Sequence, residues 1–377
     1  MVVDTEELSE TSLYDRIHAA MVAAAIGDAM GGPVEGWDYQ RIQETHGVVD
    51  RLLPYGFEPD YHNHFRTAPG SVTDDTRLRQ LVAEAITAGG GRARTGALPR
   101  RGDLVWRIVQ AYHRAGTELE RGFLEEYALG GVYGEEKLIW GGRMTNGFLM
   151  ANAPLGLICP GDPETAFALS YDVDFISDGY AKVAAAMGAA AVAAAMAPGA
   201  TPEIVVEGAL AAASAHRVEG PLTRSWAWYN HVFTLNERMV RTAVEVAAEV
   251  GDVFAVREAY YRRLRVSDLG SEAAQTVAVA LGMLVAAGGD LRQTIIGCVN
   301  YGRDNDSYAT LAGAIAGAMH GMAAVPEDWR RIVEEANPEL DLAETSLKLA
   351  QAVVARYRRE QRAVGTVSSL LDRQVRS

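Results

Sequence analysis

The sequence predicts an all-α protein folded as a single domain. Apolar residues recur at helical spacing along most of the chain, and no alternating run of β-branched residues is bounded by hairpin turns. Alanine, glycine and serine gather around 181–197, 208–214 and 309–318, where they would let helices approach closely. With 377 residues, 49% hydrophobic and 22% charged, the chain has ample material for one large core.

In chain order, SLYDRIHAAMVAAAIGDAMGG places Leu13, Ile17, Ala20, Met21 and Ala24 on one stripe and stops at glycines. A long irregular piece is expected over 47–72. TDDTRLRQLVAEAITAGGG opens on capping residues, groups Leu78, Leu81, Val82 and Ala85, and ends in three glycines. RGDLVWRIVQAYHRAG follows as a helix. A second irregular piece is expected over 129–163, and loops of such length in a helical protein commonly carry function. Ala181–Ala197 is the nearest approach to a membrane span, but it is shorter than the roughly 20 residues a bilayer needs and carries Lys182. It reads as a buried helix. The segments TPEIVVEGALAAASAH, RMVRTAVEVAAEV, VFAVREAYYRRL, EAAQTVAVALGMLVAAGG, LRQTIIGCVNYG, SYATLAGAIAGAMHG and LAETSLKLAQAVVARYRREQ complete the helical set. One domain over 1–355 is therefore expected, followed by a basic, frayed tail over 356–377.

A net charge of −14 argues against a nucleic-acid partner, because phosphate backbones demand a basic surface. Neither a signal peptide nor a membrane span is visible, and Cys159 and Cys298 are too few for a disulfide framework. A cytoplasmic protein acting as a monomer or small homo-oligomer is the expectation.

The chemistry concentrates in two acidic stretches. GRDNDS carries Asp304, Asp306 and Ser307, and SVTDDT carries Thr73, Asp74 and Asp75. Each sits in a loop that opens a helix, with Ser307 expected at or near an N-cap. On a continuous helix Asp304 and Asp306 would point about 200° apart, whereas in a turn they can converge. Helix capping accounts for either stretch alone. Two mirrored sets of two carboxylates and a hydroxyl point further, because four acids brought together repel unless cations neutralise them. Two Mg²⁺ or Mn²⁺ ions, which prefer oxygen ligands, fit that need. His62 and His64, in YHNHF, form a lone pair without a third zinc ligand in view.

The stretches AAAIGDAMGGPVEG, PGSVTDDTRL, MTNGFLMANAPLGL and GRDNDSYATLAGAIAGAMHG, in that order, resemble the ADP-ribosylglycohydrolase family over about residues 14–325. The resemblance implies an orthogonal all-α bundle with a two-metal cleft and cleavage of the bond between C1″ of ADP-ribose and a protein side chain or small acceptor. By position it assigns Thr73, Asp74 and Asp75 to one metal segment and Asp304, Asp306 and Ser307 to the other. Glu35 matches an acidic residue beside the metals, which with Asp75 and Asp304 makes the catalytic set. Asn146 and Gly147, preceded by Thr145, match a loop that meets the diphosphate and ribose. Tyr133, Trp140 and Phe148 flank that loop and could stack on a purine. The chain departs from the family pattern at Ala151, where arginine is common, at Asp172 and Asp174, where a histidine-containing stretch is usual, and at Val72, where an aromatic residue often stands. Asp174 is thus a substrate-pocket candidate of this chain's own.

Breaking a ribosyl bond passes through an oxocarbenium-like transition state, so the site must stabilise positive charge, protonate the leaving group and deliver water. Substrates in view are an ADP-ribosylated protein, a small-molecule riboside of another kind, or ADP-ribose held without turnover. A Mg²⁺-dependent isoprenoid cyclase is a poorer match, since DDTRLR lacks a third acid and aromatic residues make up only 8%.

Overall fold

A computed structural model describes residues 5–57, 66–88, 97–133, 144–217 and 224–374. Among them are seventeen α-helices and no strand. The helices are α1 (Thr5–Ser9), α2 (Ser12–Gly31), α3 (Tyr39–His46), α4 (Asp74–Ala88), α5 (Arg101–Arg114), α6 (Glu118–Tyr133), α7 (Ala153–Leu157), α8 (Pro163–Val173) and α9 (Gly179–Ala195). They continue as α10 (Pro202–Ala215), α11 (Arg224–Val250), α12 (Arg257–Arg263), α13 (Ala273–Ala286), α14 (Leu291–Tyr301), α15 (Asn305–His320), α16 (Glu327–Ala336) and α17 (Leu342–Gln374). The all-α expectation holds.

The centre of the fold is an antiparallel pair, α2 against α15. A methyl group on Gly27 would overlap the Ala309 carbonyl, and one on Gly31 would overlap the Asp306 backbone. From the other side, Gly313 lies on the Ala23 carbonyl and Gly317 on that of Ala19. Partner numbers fall along α15 as they rise along α2, so one glycine per turn brings the two backbones together. The close approach expected of the small residues around 309–318 is thereby met through Gly313 and Gly317, with Gly27 and Gly31 as their counterparts. Arg16 Nη1 closes the far end by donating to the Ala318 carbonyl at 3.0 Å and the Ala195 carbonyl at 3.4 Å, where helix C-termini welcome a cation.

The expected apolar stripe on α2 is too narrow a description, because the helix is buried on all faces from Ala19 to Gly31. A helix enclosed by others needs no polar face. For the same reason, among the described residues α2, rather than the alanine-rich α9, is long and apolar enough to cross a bilayer, and its apolar stretch is 94% buried inside the protein. Around the central pair, α14 lies along α15, α9 packs with α8, α10 and α13, and α17 lies over α2 and α4.

Two boundaries differ from expectation. The stretch over 129–163 includes the end of α6, all of α7 and the start of α8. Pro154 and Pro163 stand in the first turns of α7 and α8, where proline starts a helix rather than breaking it. The basic tail from Arg356 is continuous with α17, helical to Gln374 without a break.

Candidate metal centre

Four stretches of chain converge at the C-terminal end of α2. Asp28, in its last turn, accepts hydrogen bonds from the backbone N–H of Thr73 at Oδ1 and of Thr76 at Oδ2, both at 3.0 Å. A carboxylate from one helix thus caps the start of another and fixes α4, whose first turn carries Asp74 and Asp75. Arg79 lies one turn on, fully buried, and donates from Nη2 to Thr76 Oγ1 at 2.8 Å.

The second acidic stretch is set by its backbone. Gly302 (φ 80°) and Arg303 (φ 64°) are both left-handed, and a methyl on Gly302 would overlap the Trp37 carbonyl. Arg303 N–H donates to that carbonyl at 2.5 Å and Gly36 N–H to the Arg303 carbonyl at 2.6 Å, locking 36–37 to 302–303. Arg303 is held there by Nη1 donating to Gln275 Oε1 at 2.7 Å. This lock brings Glu35 to Asp304. One carboxylate oxygen each of Glu35, Asp304 and Asp306 lies within 4.8 Å of the others. Asp304 and Asp306 therefore converge in a turn, as expected. Ser307 lies near the N-cap, as expected: Asp304 takes the cap position itself, and Ser307 stands inside the first turn of α15.

There it joins the two acidic stretches, its hydroxyl donating to Asp75 Oδ2 at 3.3 Å. Asn146 Nδ2 donates to Asp304 Oδ2 and, at 2.9 Å, to Thr276 Oγ1. The backbone of 144–146 is pinned to 271–273 by an antiparallel bridge between Thr145 and Glu272 and by Asn146 N–H donating to the Ser271 carbonyl at 2.9 Å. Thr73, Asp75, Asp306 and Ser307 are buried, while Glu35, Asp74, Thr145 and Gly147 are half-buried and form an accessible rim.

The charge balance is one-sided. Burial pushes the carboxyls of Glu35, Asp74, Asp75 and Asp306 well above the usual carboxylate range, and the neighbouring acids push the same way. Arg79 is the opposing charge beside Asp28 and Asp75, and burial pushes its own pKa down to about 10. Asp75 Oδ1 is buried without a partner. Clustered hard oxygen donors, an excess of negative charge and an orphaned carboxylate oxygen fit a divalent cation that retains water.

Other candidates hold local structure. Asp174 is fully buried and accepts from Ile176 N–H at 2.9 Å and Ser177 N–H at 2.8 Å, so it shapes the turn between α8 and α9. Phe148 is fully buried, edge-on to Phe175 at 6.3 Å, and offers no face to a purine. Ala151 is likewise in the core. Tyr133 ends α6, but its side chain lies outside the described residues, as do Trp140, His62 and His64. Three contributors were not singled out in the sequence: Asp28, Arg79 and Thr276. Asp28 left a signal, a lone acid in the apolar run AAAIGDAMGG. Arg79 reads as a surface charge and Thr276 as an ordinary helix residue.

A helical bundle carrying buried oxygen donors between two helix N-termini defines an all-α protein with an acidic, cation-type centre. The ADP-ribosylglycohydrolase family matches residues 9–363, and the chain belongs to that family of glycosidic-bond hydrolases. It is 26% identical over 359 residues to the uncharacterized protein YegU of Escherichia coli, covering 93% of this chain and 99% of that one. Human ADP-ribosylhydrolase ARH3 is 36% identical over 97 residues, a quarter of this chain (25%) and 24% of its own length. A solved chain described as an ADP-ribosylglycohydrolase-related protein complex shares the fold, with a TM-score of 0.56 at 23% identity over 91% of this chain and 98% of that one.

Proposed function

We propose that the protein hydrolyses the C1″ N- or O-glycosidic bond that joins ADP-ribose to a protein side chain or small acceptor. The observation that carries this reading is the junction of the two acidic stretches, Ser307 on Asp75 beside the Glu35–Asp304–Asp306 cluster. Two divalent ions, Mg²⁺ or Mn²⁺, held by Thr73, Asp74, Asp75, Asp304, Asp306 and Ser307 would supply the missing positive charge and Lewis acidity toward ribose hydroxyls and water.

The chain's own residues take the remaining parts. Glu35 stands at the rim, so it can pass a proton between solvent, water and leaving group. As the C1″ bond breaks, its electron pair leaves with the acceptor, which gains a proton; water supplies oxygen to C1″ and loses a proton to a carboxylate. Asp75 and Asp304 are the aspartates that would share in that exchange, Asp304 with a carboxylate oxygen within 4.8 Å of one of Glu35. Asn146 holds Asp304 in one orientation, and Thr276 holds Asn146. Thr145, Asn146 and Gly147 form the wall that faces the sugar. A methyl on Gly147 would meet Ile176, Thr145 and Tyr127 at 3.6–3.8 Å, ordinary contact, so these side chains border the wall at that point.

The test is incubation with ADP-ribosyl-arginine, ADP-ribosyl-serine and a panel of nucleosides, with Mg²⁺ or Mn²⁺ present. Free ADP-ribose from either of the first two, lost in Asp304→Ala, is the expected result. Ribose from a nucleoside alone would move the substrate to another riboside. Binding of ADP-ribose without turnover of any compound would refute the hydrolase reading.

A further inference from the structure

The last part of α17 leaves the body of the protein. Arg356 anchors the helix to the body, its Nη1 donating to the Ile158 carbonyl at 3.1 Å and lying 3.0 Å from Cys159 Sγ. Beyond it, residues 359–371 are exposed on every face, more than three helical turns. The hydrogen bonds of Tyr357, Gln361, Thr366 and Ser369 stay within the helix. Nothing lies within 4 Å of a methyl placed on Gly365. Isolated helices of this length are marginal in water, and the glycine weakens this one by about 1 kcal/mol.

The arm nevertheless carries large apolar side chains in a row. Tyr357, Val364, Val367, Leu370 and Leu371 are 58%, 65%, 56%, 61% and 62% exposed. Scattered apolar residues are ordinary on a surface, but an aligned stripe is not. Tyr357, Val364, Val367 and Leu371 follow one another at intervals of seven, three and four, the spacing of a coiled-coil seam. They continue the face that Ala350 and Val353 bury against the body, so the stripe is an existing interface prolonged past its end. Arg358, Arg359 and Arg362 fall at positions turned away from this seam. Ala363 and Ser368 flank it and are small.

We infer that this arm pairs, antiparallel, with the same arm of a second copy of the chain. A two-fold contact makes each stripe the complement of the other. Antiparallel pairing is favoured because Glu360 is the one charged residue among the seam positions, the other that is not apolar being Gln374 at the end of the helix. In a parallel pair the two Glu360 side chains would face each other, whereas in an antiparallel pair they lie apart. Charge favours a self-contact as well: 356–377 holds six arginines against Glu360 and Asp372, on a chain of net charge −14. Each basic arm then runs toward the acidic body of its partner. The family match ends at residue 363, so most of the seam lies beyond it and the inference is independent of the hydrolase reading.

Sedimentation velocity of the full chain across a range of concentrations tests the pairing. A dimer is expected, weakened at least tenfold by Val367→Glu and unchanged by Ser369→Glu, which lies away from the seam. Gly365→Ala, also off the seam, should tighten it by stiffening the arm. Because the arm touches no core, the melting of the body should be the same in all three variants. A monomer at every concentration, or a dimer indifferent to Val367→Glu, overturns the inference. So does a monomer whose arm instead binds vesicles containing anionic lipid, since that would make the stripe a membrane contact.

Discussion

Ser307, in the first turn of α15, donates its hydroxyl to Asp75, in the first turn of α4, at 3.3 Å across 232 residues of sequence. This bond joins the two acidic stretches, and each half is held from behind. Asp28 fixes the α4 turn by capping it, and Gly31 admits the α15 turn by lacking a side chain. Both residues belong to the last turn of α2. One helix end thus sets the spacing of the centre.

Adding Mg²⁺ or Mn²⁺ should raise the melting temperature. Saturation at 100 times the dissociation constant contributes about 2.7 kcal/mol. Asp304→Ala should abolish the response, and removal of the ions by a chelator should reverse it in the parent protein. Calorimetry that shows an identical melt with and without the ions would discard the metal centre.

Asp28→Ala should cost about 3 kcal/mol, because two buried backbone N–H groups and Arg79 lose their partner. Activity should fall along with cation binding, since α4 would lose its fixed start. Denaturant unfolding and an ion titration of the same variant measure the two effects. A stable variant with normal ion affinity would show that the cap is dispensable.

Gly31→Ala should destabilise by about 1–3 kcal/mol and weaken the thermal response to ions, because its methyl would push against the Asp306 backbone. Gly102→Ala is the comparison. It sits in α5 with no atom within 4 Å of the added methyl, and should be neutral or stabilising by up to about 1 kcal/mol. Equal melting shifts for the two would contradict the close contact of α2 and α15.

Stability should decline at alkaline pH. Burial pushes the Cys159 thiol up to about 11 and the Tyr261 hydroxyl up to about 12, with Tyr260 and Tyr301 higher still. These groups are neutral when buried, so their contribution is complete below the unfolded values of 9.0 and 10.0 and is lost as pH rises through the folded ones. Absorbance of tyrosinate should therefore show exposed tyrosines titrating first and the buried ones appearing only with unfolding. A single titration of all fifteen tyrosines near pH 10 in folded protein would be inconsistent with this burial.

The sequence by itself determined the helical class, most helix positions and the two acidic stretches proposed as oxygen donors. Those rest on short-range facts: apolar spacing, the capping residues that open TDDTRL, and the small residues after GRDNDS. It also pointed to the convergence of Asp304 and Asp306, because the alternative, a continuous helix, would separate them. Only the tertiary structure decided which groups stand behind those donors. Asp28 caps a helix that begins 46 residues later, and Arg79 is buried between carboxylates instead of solvated. It also turned Asp174 and Phe148 from pocket candidates into a turn cap and a core residue. Charge and hydrogen-bonding capacity are carried by each residue type. Burial and partners arise only when distant segments pack, and here they depend on backbones meeting at glycines on α2 and α15.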